Sequence, residues 1–191
     1  MRKNTLRHMH TNSCMQLNNN DALNINWTSK LDTNNNMKQI SFLSWNILSQ
    51  NLFDSTPKWY KHVKSDAPVS WVERFPRIVS EILESRADVI CLQEVEFVAY
   101  KNDFQSTMED HGYSSIMQKG SRKRAEDGGY GVATFWRKDR FQLCDSIHRS
   151  RTMVTILSDA LNSGYCLAVV NCHLEGHPEK SVMRVRQLQR W

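Results

Sequence analysis

Residues 88–96, Asp-Val-Ile-Cys-Leu-Gln-Glu-Val-Glu, constrain the fold more than any other stretch of this chain. Val89, Ile90, Cys91 and Leu92 form an unbroken apolar run, the pattern of a short strand buried on both faces. The run then ends in Gln93 and Glu94, where core would otherwise continue. A carboxylate at the end of a doubly buried strand calls for a reason, and the rest of the sequence supplies one.

The chain divides once. Residues 1–37 are asparagine-rich and almost free of apolar periodicity, a composition that predicts a disordered tail. Residues 38–191 read as one compact α/β domain. A first strand runs from Ile40 towards Ile47. Val69, Val72, Phe75, Val79, Ile82 and Leu83 recur at helical spacing, with Pro76 expected in or near the first turn because a later position would kink the helix. After the strand at 88–93, short runs rich in β-branched and aromatic residues predict strands around 113–119, 130–137, 141–147 and 151–157. Residues 159–164 read as a hairpin loop into the strand Tyr165–Leu174. A last helix follows Pro178, with Val182, Val185 and Leu188 on one face.

A length of 191 residues suits one domain with a sizeable core. The net charge of +5 and pI near 9.0 suit a polyanionic partner. No apolar run approaches the roughly 18 residues of a membrane span. Residues 1–16 are basic but lack the apolar region of a secretory signal; a mitochondrial presequence is the alternative reading, since residues 1–20 contain no acid. Five cysteines (Cys14, Cys91, Cys144, Cys166 and Cys172) without paired spacing argue against a disulfide framework or a zinc site. They point to a reducing compartment, cytoplasm or nucleus.

Three strand ends share one character. Asn46 closes the first apolar strand, Glu94 the second, and Asn171 and His173 the last. Sheets of this kind present ligand-binding groups at such ends, because the side chain is fixed by core below and meets solvent above. Singly, each has an ordinary explanation: turn chemistry for the asparagine, a solvated surface for the glutamate, a hydrogen-bonded structural role for the histidine. Their weight lies in recurring together and in order.

The ordered set Ser44–Leu48, Trp71 and Arg74, Ile90–Glu96, Glu126–Trp136 and Val169–Pro178 resembles the endonuclease/exonuclease/phosphatase superfamily, and within it the deadenylase-like branch of nocturnin and Angel type. The resemblance implies a two-layered α/β sandwich that cleaves phosphoester bonds with Mg²⁺, or with Mn²⁺ in its place. It implies Glu94 as a metal ligand, Asn46 as a positioner of metal and phosphate, and His173 as a contact to the scissile phosphate. Mg²⁺ prefers hard oxygen donors and keeps several waters, so one or two carboxylates suffice to hold it. Asn171, Asp127, Arg122 and Lys123 are implied on the substrate side, where a basic loop beside the metal would suit RNA, including poly(A).

The family's later Gly-Asp-Phe-Asn and Ser-Asp-His segments do not occur in this sequence. Their absence predicts that the chain corresponds to the N-terminal half of the sandwich and is inactive by itself. Two alternatives therefore stand beside a nuclease: a non-catalytic nucleic-acid-binding or pseudo-nuclease fragment, and a sphingomyelinase-like or abasic-site endonuclease phosphodiesterase.

Overall fold

A computed structural model describes residues 39–64, 67, 69–120, 128–162 and 164–189. Strands β1 (Phe42–Asn46), β2 (Val89–Glu96), β3 (Tyr113–Met117) and β4 (Tyr130–Arg137) form one sheet in the order β1-β2-β4-β3. β1 runs parallel to β2, and the other pairs are antiparallel. Strands β5 (Phe141–Arg149), β6 (Thr152–Asp159) and β7 (Cys166–Cys172) form a second, antiparallel sheet.

β2 explains its own sequence. Ile90, Leu92 and Val95 join a core with Ile78, Ile82, Phe104 and Phe135. Val89 and Cys91 belong to a second core with Trp136, Phe141, Leu157 and Val169 of the facing sheet. Each face of β2 therefore has its own apolar partner layer, which is why the run shows no polar alternation. Burying such side chains stabilises by about 1.5–3 kcal/mol each, enough to make this strand the centre of the fold.

Helix α1 (Gln50–Ser55) and a 3₁₀ turn (Pro57–Tyr60) follow β1, and α2 (Trp71–Ser85) leads into β2. Ser70 and Glu73 form a capping box that fixes where α2 starts. Pro76 is consequently the sixth residue of the helix, not a first-turn residue. It replaces an amide that would bond the carbonyl of Val72, and both residues lie on the exposed side of the helix. Val72 is 81% exposed, so it leaves the expected apolar face, which Phe75, Val79, Ile82 and Leu83 form together with Ile78. Between β2 and β3 the chain forms α3 (Phe97–Ala99), a π-helical turn (Tyr100–Phe104) and α4 (Gln105–Asp110). This segment had no clear periodicity, yet it contributes the fully buried Phe104 and Met108. The last helix, α5 (Ser181–Leu188), carries Val182, Val185 and Leu188 exposed among the described residues. Among the described residues Cys91, Cys166 and Cys172 are free thiols, whereas Cys144 is disulfide-bonded, which sequence spacing could not reveal.

The end of the sandwich away from Glu94 is held by charge. Arg140 lies 2.9 Å from Asp88 and 3.2 Å from Asp159, and it also donates to the Gln39 carbonyl at 2.8 Å. Burial pushes both carboxyls up. For Asp88 the Ser41 amide and hydroxyl with Arg140 outweigh it; for Asp159 Arg140, Asn162 and the Leu161 amide do. Both groups end below the usual carboxylate range, which makes their ionised forms part of the folded state. Their stabilisation should be fully present above about pH 4, the unfolded value, and lost as pH falls through the lower folded values. Arg140→Met should lower the unfolding free energy by about 3–5 kcal/mol in urea titration, because the buried Asp159 and the half-buried Asp88 both lose their cation. A loss of less than about 1 kcal/mol would show that the cluster is a surface pair in effect.

Candidate active site

β1 and β2 are parallel, so Asn46 and Glu94 reach the same end of the sheet, with Asn46 opposite Gln93 in register. Gln93 pairs with Val132 and Val95 with Gly131, leaving Glu94 as an extra residue in a β-bulge. Its backbone is left-handed, φ 57°. A non-glycine residue rarely adopts that conformation, and it persists only where the surroundings over-determine it. The bulge re-aims the Glu94 side chain out of the strand's alternation into a buried polar nest. Asn46 Nδ2 donates to Glu94 Oε1 at 2.8 Å, the Ser49 amide donates to Oε2 at 3.1 Å, and His173 Nε2 lies 3.4 Å from Oε1.

The asparagine's orientation follows from its partners. The Leu48 amide donates to Asn46 Oδ1 at 3.0 Å, so the oxygen faces the loop and the NH₂ faces the carboxylate. In this geometry Asn46 steers Glu94 and does not itself offer an oxygen to a cation. The loop after it is held by Arg74, which donates to the carbonyls of Ile47 and Leu48 (the latter at 2.7 Å) and to Gln50 Oε1 at 3.0 Å. Burial lowers the Arg74 pKa, partly offset by Glu96, Asp54, Tyr60 and Glu94. Trp71, one turn earlier, packs against this guanidinium and donates to Asp103 at 2.8 Å. Glu96 completes the nest by accepting from the Ser49 hydroxyl and the Asn51 amide, both at 2.7 Å.

Asn171 proves to be an internal brace. It is buried, its Nδ2 donates to the carbonyls of Leu92 at 3.2 Å and Ala133 at 2.9 Å, and its Oδ1 accepts from Gln93 at 2.9 Å. With its amide committed across the two sheets, it has no group to turn towards a substrate. His173, two residues on, stands at the mouth. Burial lowers its pKa, against an upward pull from Glu94, so the neutral ring is favoured. It borders a cleft of about 140 Å³ that also takes in Gln118, Tyr130, Gly131 and Arg151. The Tyr130 and His173 rings lie 6.2 Å apart. Arg151, left-handed at φ 67°, accepts the His173 amide on its carbonyl at 2.8 Å and sits 3.9 Å from Glu175. A larger cavity of about 580 Å³ lies between β1 and α2, lined by Leu43, Trp45, Ile47, Arg74, Arg77 and Glu81; neither Glu94 nor His173 lines it.

Three expected substrate-side residues, Arg122, Lys123 and Asp127, lie outside the described residues. Gly128 beside them is described, with φ 70°, a backbone conformation that favours glycine, and a Cβ there would displace the Asn51 side chain, whose Nδ2 lies 2.5 Å away. Sequence reading did not single out Ser49, Glu96, Tyr130 or Arg151. Ser49 and Glu96 lie within the strand-end segments already noted, but the cleft position of Arg151 depends on the β5–β6 turn and left no mark in the sequence.

A sequence profile described as the Endonuclease/Exonuclease/phosphatase family matches residues 43–191. The chain belongs to that family. Protein angel homolog 2 of Danio rerio is 28% identical over 164 residues, covering 78% of this chain and 28% of the relative. The CCR4-Not complex 3′-5′-exoribonuclease subunit Ccr4 of Kluyveromyces lactis is 37% identical over 117 residues, 58% of this chain and 14% of the relative. The chain thus spans less than a third of the length of either. The crystal structure of ANGEL2, a 2′,3′-cyclic phosphatase, superposes with a TM-score of 0.67 at 27% identity, over 78% of this chain and 44% of that one. The human nocturnin catalytic domain shares the fold, with a TM-score of 0.61 at 24% identity, over 79% of this chain and 57% of that one. Of these, Ccr4 is named as an exoribonuclease and ANGEL2 as a 2′,3′-cyclic phosphatase, and the solved structures place the two-layered α/β sandwich of this chain in a known fold.

The brace assigned to Asn171 gives a direct test. Asn171→Ala should destabilise the protein by at least about 2 kcal/mol in denaturant unfolding, since the Leu92 and Ala133 carbonyls and the Gln93 amide lose their partner. Unchanged stability would return Asn171 to the substrate side.

Proposed function

We propose that the protein is a divalent-metal-dependent phosphodiesterase acting on RNA, of 3′-exonucleolytic, deadenylase-like type, with poly(A) among its substrates. The observation that carries this reading is the Glu94 carboxylate, buried in a strained bulge and flanked by Asn46, Ser49 and His173. A structural glutamate gains nothing from a left-handed backbone at the end of a core strand; a ligand that must point at one place does.

The donor set fits a hard cation. Among the described residues no cluster of three or more His, Cys, Asp or Glu side chains forms a closed cage. Mg²⁺ does not need one, because it is held by one or two carboxylates with water and substrate phosphate completing the shell. Glu94 would hold Mg²⁺, or Mn²⁺, which would polarise a phosphoryl oxygen there. Asn46 and the Ser49 amide fix the carboxylate's orientation. His173, favoured neutral, can donate its Nε2 hydrogen to a phosphoryl oxygen in place of Glu94. Arg151 supplies the cleft with a guanidinium suited to a phosphate.

The cleft near 140 Å³ is smaller than the roughly 300–1,000 Å³ of drug-sized pockets, which favours the end of a strand over a duplex. The named activities of Ccr4 and ANGEL2, exoribonuclease and 2′,3′-cyclic phosphatase, both concern phosphate esters of ribose. The similarity to ANGEL2 supports a second reading, opening of a terminal 2′,3′-cyclic phosphate at the same site.

Glu94→Gln should leave the circular dichroism spectrum intact and weaken Mn²⁺ binding, followed by electron paramagnetic resonance, by at least about 10- to 100-fold. Metal-dependent RNA hydrolysis should fall in parallel. Equal Mn²⁺ affinity in the two proteins would remove Glu94 from the metal site and the proposal with it.

A further inference from the structure

The segment Pro57–Lys64 reads Pro-Lys-Trp-Tyr-Lys-His-Val-Lys, with three lysines and no acid. Trp59 is 67% exposed, although tryptophan is among the residues most covered on average. Its exposure is not that of a loose loop. Pro57 sets the 3₁₀ turn, the Trp59 amide donates to the Thr56 carbonyl at 3.0 Å, and the Thr56 hydroxyl donates to Leu52 at 2.6 Å. On the next residue the Tyr60 ring packs at a tilt against Phe53 with centroids 4.8 Å apart, and the Val63 amide closes the turn on the Tyr60 carbonyl at 2.9 Å. Tyr60 thus takes the inward aromatic place, and Trp59 is pinned facing out.

Lys58, Lys61 and Lys64 are exposed around it. None of the three takes part in an ion pair among the described residues. The turn is also close to the candidate active site. α1 starts at Gln50, next to the Ser49 amide that holds Glu94, and six helical residues advance only about 9 Å. Arg74 lies within electrostatic reach of Tyr60 on one side and of Glu94 and Glu96 on the other.

We infer that Trp59 with Lys58, Lys61 and Lys64 forms a binding platform for single-stranded nucleic acid, the indole stacking on a base and the ammonium groups meeting neighbouring phosphates. An outward aromatic face among unpaired cations is the combination that binds single strands without reading sequence. The platform rests on the phosphodiesterase reading only for the destination of the strand, whose reacting end would lie at Glu94 while an upstream base sits on Trp59.

The test uses the whole chain in EDTA, so that binding is separated from metal chemistry, and a fluorescein-labelled 12-nucleotide single-stranded RNA followed by anisotropy. Trp59→Ala should weaken binding by about 5- to 150-fold, the effect of losing one stacked base. Trp59→Phe should retain most of the affinity. Changing Lys58, Lys61 and Lys64 together to Gln should flatten the slope of log affinity against log salt by about 2, at roughly 0.7 per phosphate on a single strand. Equal affinity for wild type and Trp59→Ala, an unchanged salt slope, or no RNA binding at all would overturn the platform. Loss of binding to anionic lipid vesicles in Trp59→Ala with RNA affinity unchanged would overturn it in favour of a membrane surface. Trp59-dependent RNA binding in a protein whose Mn²⁺ affinity ignores Glu94→Gln would sink the proposed function and leave the platform standing.

Discussion

The amide of Asn171 is the interaction on which the rest of the site depends. It reaches from the last strand of one sheet to Leu92, Gln93 and Ala133 of the other, all buried or half-buried. Two sheets packed through apolar side chains alone can slide, because dispersion and the hydrophobic effect are non-directional. Hydrogen bonds to backbone carbonyls have direction and fix the relative position of β2 and β7. Glu94 and His173, which follow those anchor points by one and two residues, inherit that position. At the far end Arg140 performs a similar office with charge instead of amide chemistry.

The bulge at Glu94 shows how a rigid strand can present a carboxylate without losing its core. The strand stays paired with β4 on either side of the extra residue, so Leu92 and Val95 remain buried. Only the carboxylate leaves the alternation. The strained backbone costs on the order of 1–3 kcal/mol, a load that the bonds from Asn46 and Ser49 help to offset. Arg74 supports the same arrangement from behind by collecting the loop carbonyls of Ile47 and Leu48.

Much of this was legible in the sequence because it rests on short-range patterns. The doubly buried β2, the seven strands and the ends that carry Asn46, Glu94 and His173 all follow from apolar runs that stop at polar residues. The family likeness added roles to those residues. What escaped was decided by contacts distant in sequence. Asn171 looks identical on paper whether it faces a substrate or the opposite sheet. Val72 shares the helical period of its neighbours, yet the capping box at Ser70 sets the helix so that it faces water. The helical stretch 97–110 carries Phe104 and Met108 into the core through a π-helical turn, whose period differs from the one that sequence reading looks for.

The partners around Glu94 are far apart along the chain. The Asn46–Glu94 bond spans 48 residues and the Gln93–Asn171 bond spans 78. Loops of that length must close before either bond repays the lost chain entropy, and folds rich in such distant pairings form slowly. During synthesis Glu94 leaves the ribosome well before Asn171 and His173 exist to complete its surroundings. Asn46 and Ser49 precede Glu94 and are already made when it emerges, whereas His173 joins them only once β7 has been completed.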